Sequence, residues 1–220
     1  MCFSATASFT SSALIGVVGI ATLARTTHRR EWLFAAIPLL FALHQFTEGA
    51  VWLGLTGDGL LGPVKPWGFA YVLYAQGLLT LLIPLSVWLI EPDYRRRRMV
   101  LPFLVLGAAL TLYMLWALVT YPTAIYVEDH SVVYSNPASS HLWIAVLYVI
   151  ATCGALFFSG YRYIMVLGAV NLVGVLLTIW VKDYAFTSVW CAYAAVVSVL
   201  IYFHFSRRRR AEKRGRVLEH

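Results

Sequence analysis

Seven runs of mostly apolar residues, each about twenty long, follow one another with only short polar joints between them. An α-helix rises about 1.5 Å per residue, so roughly 20 residues span the ~30 Å hydrocarbon core of a bilayer. Within hydrocarbon every backbone N–H and C=O must find its partner inside the protein, and a single segment can do this only as a helix. The runs are predicted as helices near 9–25, 32–55, 67–90, 99–121, 141–160, 162–181 and 185–205. The expected fold is all-α: one polytopic domain of seven transmembrane helices over residues 1–217. Residues 218–220, Leu-Glu-His, read as a vector junction leading into a purification tag and are set aside.

Composition agrees with a membrane solvent. Only 12% of residues are charged, against about 25% in a soluble domain. The formal net charge of +7 would direct a soluble chain toward nucleic acid, but the location of the charges excludes that partner. Fifteen of the seventeen Lys and Arg residues fall in alternate connections: Arg25 to Arg30, Arg95 to Arg98, Arg162, and the terminal run from Arg207 to Arg216. The intervening loops carry only Lys65 and Lys182, together with Asp58, Glu128, Asp129 and Asp183. Basic loops are retained on the cytoplasmic side, so the N-terminus is expected outside and the C-terminus inside a multi-pass inner (plasma) membrane protein. No basic residue precedes the first apolar run, so it does not read as a cleavable signal. The terminal "RRRRAEKRGR" is expected to meet anionic lipid headgroups. Residues 122–140, flanked by Pro122 and Pro137, read as a flexible or lid-like outer connection.

Against that background "FALHQFTEGAVW" (41–52) stands out. An ionisable side chain near the bilayer centre costs about 2.5–3.5 kcal/mol on insertion scales, so it faces protein and marks a site by default. His44 and Glu48 lie four residues apart, on one helical face, and Trp52 continues the stripe. Counting about 1.5 Å per residue from the outer boundary, Glu48 lies roughly 10 Å and His44 roughly 16 Å deep. By the same count Cys191 falls at about 10 Å, Gln76 at about 13 Å and Asn171 at about 16 Å. One polar layer in the outer half is the economical reading, with Cys2, Ser4, His141, Lys182 and Asp183 nearer its rim.

Three chemistries fit such an outward-opening pocket. The first is binding of a metal ion or small ligand. His44, Glu48, Cys2 and Cys191 would be metal ligands, and imidazole, carboxylate and thiolate together suit zinc or copper. His44, Gln45, Glu48, Trp52, Gln76, Asn171 and Trp190 would line the ligand site. The second is hydrolysis of lipid by an embedded metal, and the third is proton, ion or small-solute transport, for which histidine can titrate near neutral pH. A hydrogen-bonded His–Glu pair that only locks helices is the structural alternative. Cys2 and Cys191 both fall on the oxidising side, where a disulfide can form.

Seven spans with the N-terminus outside resemble, in topology, the alkaline ceramidases and adiponectin-receptor-like hydrolases, which hold zinc through histidines. Those families carry His-x-x-x-His on the last helix, where this chain has "WCAYAAVVS". "MCFSATASF", "HQFTEGAVW" and "SVWCAYAA" resemble a family of prokaryotic integral membrane proteins known only as a domain of unknown function. That resemblance implies placement alone: Cys2, Ser4, His44, Gln45, Glu48, Trp190 and Cys191 in the outer half.

Overall fold

The computed structural model describes residues 4–57, 60–128, 131–139, 141–180 and 186–218, with the side chains of 177–192 and 211–218 outside the described set. The chain is mostly helical, and its helices follow the apolar runs. α1 spans Ala5–Leu23, α2 Trp32–Thr56, α3 Val64–Val72, α4 Leu79–Ile90, α5 Tyr94–Thr120, α6 Leu142–Phe157, α7 Arg162–Trp180 and α8 Phe186–Leu218. α3 and α4 are one rod joined by a π-helical stretch, Leu73–Leu78. Four rods, Ala5–Leu23, Arg29–Thr56, Val64–Ile90 and Tyr94–Thr120, are long and apolar enough to cross a membrane, and α6 and the Arg162–Leu176 stretch of α7 are shorter apolar helices.

Most differences from the sequence reading come from what happens at helix ends. α1 starts four residues earlier than expected because the Ser4 hydroxyl accepts from the Ala7 N–H at 3.2 Å and caps the first turn. Ser4 is therefore a cap rather than a pocket residue. α5 also starts early: Asp93 accepts from the Arg95 N–H at 2.8 Å, and Arg97 lays its guanidinium 3.7 Å from the centroid of the Trp88 ring. The arginines of that first turn sit on the helix instead of in a loop, Arg97 against Trp88 and Arg96 donating to the Ser159 carbonyl at 3.2 Å. α2 stops at Gly57, whose φ of 90° is the left-handed conformation that glycine takes without strain.

The expectation of an all-α chain needs one correction. Part of the 122–140 connection is an antiparallel hairpin, β1 (Ala124–Glu128) and β2 (Ser131–Ser135), in register from Ala124↔Ser135 to Glu128↔Ser131. Its base is tied by Asn136, whose amide donates to the Thr123 hydroxyl at 3.0 Å and to the Tyr121 carbonyl at 3.4 Å.

α8 closes the bundle by lying against α1, α2 and α7. It runs well past the expected end at 205, so the arginine run is helical and its first three arginines take different neighbours. Arg207 donates to the Tyr163 hydroxyl, Arg208 pairs with the buried Glu31 at 2.5 Å, and Arg209 donates to the Ala24 carbonyl at 2.9 Å. Glu91, also buried, accepts from the Gly160 N–H at 2.7 Å and the Ser159 hydroxyl at 3.3 Å.

α4 and α5 cross most closely at Gly107, where an added Cβ would meet the Thr80 carbonyl oxygen at 1.9 Å. The hydroxyls of Thr80 and Thr111 both donate to the Gly77 carbonyl, at 2.6 and 3.0 Å, inside the π-helical stretch. Carbonyls loosened by the wide turn thus find partners across the crossing, which in hydrocarbon they must. Gly107→Ala is expected to lower stability by about 1–3 kcal/mol, because the obstacle is backbone. Gly16→Ala, whose Cβ would meet Ala42 at an ordinary 3.6 Å, should change it by less than about 0.5 kcal/mol. Thermal unfolding of the two variants in detergent checks the difference.

Candidate functional site

α2 carries its polar residues inward. Glu48 is 0% exposed, Gln45 1% and His44 2%. The wall facing them comes from α3, the π-helical stretch and the hairpin. The His44 ring stacks on Tyr71 with centroids 4.1 Å apart and meets Tyr74 at 4.9 Å. On its other side Tyr71 stacks on Tyr134 of β2 at 4.4 Å. One pile of rings therefore runs from α2 through α3 to the hairpin, with its faces consumed by stacking and its polar atoms left at the edges.

Those edges are poorly satisfied. Among the described residues, neither nitrogen of His44, neither carboxylate oxygen of Glu48, nor the hydroxyls of Tyr74 and Tyr134 has a hydrogen-bond partner. The buried hydroxyls of Ser8 and Ser131 and the side-chain carbonyl of Gln76 are in the same condition. Ser8 stands on α1 beside Phe9, whose ring covers Gly49. Buried polar groups are paired in the great majority of cases, so several orphans along one layer need an explanation.

The hairpin covers this layer. Val132 packs with Val51 and Trp52, and Ile125 fills the notch over Gly68, where a Cβ would come within 2.1 Å of its tip. Burial, and after it the Glu48 carboxylate, pushes the Tyr134 phenol above its ordinary range. Tyr134 therefore stays protonated and presents a donor beside Glu48.

The sequence-predicted residues divide into three groups. His44, Gln45, Glu48 and Trp52 share the inner side of α2, and Gln76 lies on the π-helical stretch with a buried, unpartnered oxygen. Asn171 has a partner of its own: it donates from α7 to Cys153 of α6 at 3.2 Å. His141 is the residue before α6 and lies stacked on Trp143, away from His44. Cys2, Lys182 and Asp183 lie outside the described residues, as do the side chains of Trp190 and Cys191 on α8. Among the described residues no three His, Cys, Asp or Glu side chains come together in a way that could hold a metal. The sequence reading missed Tyr71, Tyr74, Tyr134, Ser8 and Ser131. Tyr71 and Tyr74 are three apart on one face, a usable signal, but tyrosine in a membrane chain is first assigned to the interface.

A family of unknown function (DUF6629) matches residues 1–216. The chain belongs to that family. No curated protein and no solved structure matches it. Membership in DUF6629 brings no activity with it, so the chemistry has to come from the site.

A group whose folded-state pKa is raised contributes stability that is complete below its unfolded pKa and fades as pH rises above it. For Tyr134 that threshold is about 10. The hairpin is expected to resist limited proteolysis across 124–135 at pH 8 and to become cleavable above about pH 10, whereas Tyr134→Phe should hold out to higher pH.

Proposed function

We propose that this protein is a seven-span protein of the cytoplasmic (inner) membrane, N-terminus outside, whose outer half holds a buried site for a metal ion or small ligand centred on His44 and Glu48. Glu48 carries the proposal. Its carboxyl group is fully buried and neither oxygen has a hydrogen-bond partner among the described residues. An isolated carboxylate in a low-dielectric interior costs several kcal/mol, and a chain that only needed to pack α2 would do better with an apolar residue. A bound cation or hydrogen-bond donor offsets that cost. Glu48 supplies the countercharge, His44 a nitrogen ligand or proton acceptor, and the hydroxyls of Tyr74, Tyr134, Ser8 and Ser131 complete the shell.

The metal form of this reading draws on Cys2 and Cys191 to raise the ligand count to the three or four that zinc or copper takes. The small-ligand form needs neither. In both, the hairpin is the cover that admits the ligand and then excludes water from it, which strengthens every electrostatic contact inside.

Two outcomes separate this from a pair that only locks helices. In ligand-free protein Glu48→Gln is expected to leave stability unchanged or to raise it by up to about 1–3 kcal/mol, since no hydrogen bond to a described residue is lost and a buried ionisable group disappears; a purely structural pair would lose stability on the same change. Elemental analysis of the purified protein should find close to one equivalent of zinc or copper in the wild type and close to none in His44→Ala/Glu48→Gln. Equal, near-zero metal in both would remove the metal form and leave the small-ligand form to the stability measurement.

The orientation has its own readout. A fluorescent protein fused after α8 should mature and fluoresce on the cytoplasmic side, while alkaline phosphatase fused there stays inactive; active phosphatase at that position would invert the topology.

A further inference from the structure

The rod from Val64 to Ile90 is regular α-helix except at Leu73–Leu78, where its turn is π-helical. A π turn holds about one residue more than an α turn. The residues before it are therefore out of phase with those after it by one step, about 100°. That phase decides what α3 shows to α2. Tyr71 and Tyr74 face His44, while Val72 packs instead with Met114, Leu118 and Ile144. The wide turn is secured from outside itself. The Thr80 and Thr111 hydroxyls, 3.2 Å apart, share the carbonyls of Gly77 and Gly107, and the close approach of α5 at Gly107 fixes α4. A change of phase would turn α3 and leave α4 in place.

An α turn at Leu73–Leu78, with α4 fixed, would put each residue of α3 where the one before it now stands. Val72 and Ala75 would take the places of Tyr71 and Tyr74. Two small apolar side chains would then stand opposite His44 in place of two tyrosines, which opens room beside Glu48. Phe69 would take the place of Gly68, where Ile125 of the hairpin leaves no room even for a Cβ. A phenyl ring there presses the hairpin off α3, and the stack of Tyr71 on Tyr134 parts. One motion both widens the layer and lifts its cover.

We infer that Leu73–Leu78 is a register switch controlling entry to the His44–Glu48 site, closed as a π turn and open as an α turn. What it admits rests on the site proposed above, while the motion itself rests on the rod alone. A rod that only had to span the membrane would satisfy its own carbonyls as a continuous α-helix. The wide turn instead depends on two threonine hydroxyls beyond it, so a few hydrogen bonds at the α4–α5 crossing set the phase of α3. Closure brings the Tyr74 hydroxyl back to the layer and seats Ile125 over Gly68 again, which shuts water out behind the ligand.

Thiol cross-linking with a short bifunctional reagent reads the phase directly and needs no ligand. It uses the full-length protein with Cys2, Cys153 and Cys191 replaced by alanine. Val72→Cys/Met114→Cys should cross-link in the π form, and Val72→Cys/His44→Cys in the α form. Adding Thr80→Val/Thr111→Val, which withdraws the two hydroxyls, should shift the yield from the first pair to the second by on the order of tenfold. Thr80→Ser/Thr111→Ser keeps the hydroxyls and should behave as the parent. Hydrogen–deuterium exchange of Thr80→Val/Thr111→Val in the otherwise native chain should quicken across 124–135 and stay unchanged in α1. An unmoved cross-link ratio would overturn the inference. So would exchange that quickens equally in α1 and the hairpin, since the crossing would then hold the whole fold and not a switch. Loss of stability in Glu48→Gln would remove the site without moving the cross-link ratio, so the two failures are told apart.

Discussion

A buried carboxyl group with no hydrogen-bond partner among the described residues is the constraint around which this end of the bundle is arranged. Water cannot solvate Glu48, so the neighbours must either supply hydrogen bonds or leave room for something that does. They supply a stack of rings. Because Tyr71 has His44 on one face and Tyr134 on the other, its position couples α2 to the hairpin, and a shift in any one ring is felt by the other two. The same stack leaves the hydroxyls and imidazole nitrogens at its edge, where they can turn toward a ligand without being stripped from existing partners. That is a form of pre-organisation: packing fixes the groups and bonding stays open.

The π-helical stretch belongs to this arrangement. One wide turn between α3 and α4 lets the face that carries Tyr71 and Tyr74 look at α2, while the next turns look at α5. Its loosened carbonyl at Gly77 is claimed by Thr80 and Thr111 at a helix crossing that only glycine at 107 allows. The irregularity near the site is thus held by a rigid contact beyond it, in keeping with the frequent occurrence of such turns at functional sites.

How much of this could be read from the residues follows from what sets each feature. The helices could be placed because bilayer thickness sets their length and apolar runs reveal it. Their ends were missed by up to five residues at the caps, since Ser4 and Asp93 act through local hydrogen bonds that hydropathy does not register. The hairpin was visible in outline: "AIYVE" and "SVVYS" are rich in β-branched and aromatic residues, but the prolines and asparagine around them read more strongly as loop. His44 and Glu48 were found because charge in an apolar run is conspicuous. Tyr71, Tyr74 and Tyr134 were not, because an amphipathic ring is as much at home at an interface as in a core. Equal depth brought Asn171 into the predicted layer, and in the structure it has a partner of its own in Cys153; depth fixes one coordinate and helix order the other two.

The arginine-rich end of the bundle supports the proposed site by contrast. Glu31 and Glu91 are as deeply buried as His44, at 2% exposure each. Glu31 is ion-paired with Arg208 and accepts from the Thr27 N–H, although its Oε1 makes no hydrogen bond of good geometry, and Glu91 accepts from the Gly160 N–H and the Ser159 hydroxyl. Charge counting along the loops had seen the arginines only as a retained, lipid-facing patch, because it registers the sign of a loop and not the partner of each residue. A fold that meets the needs of two buried carboxylates within the protein has the means to do so for a third. The Glu48 carboxylate acts electrostatically on the Tyr134 phenol, yet no hydrogen bond joins them. Glu48 differs from Glu31 and Glu91 in having neither an ion pair nor a hydrogen bond to a described residue, and His44, one turn back on the same face of α2, shares that condition, which is the observation on which the proposed site is built.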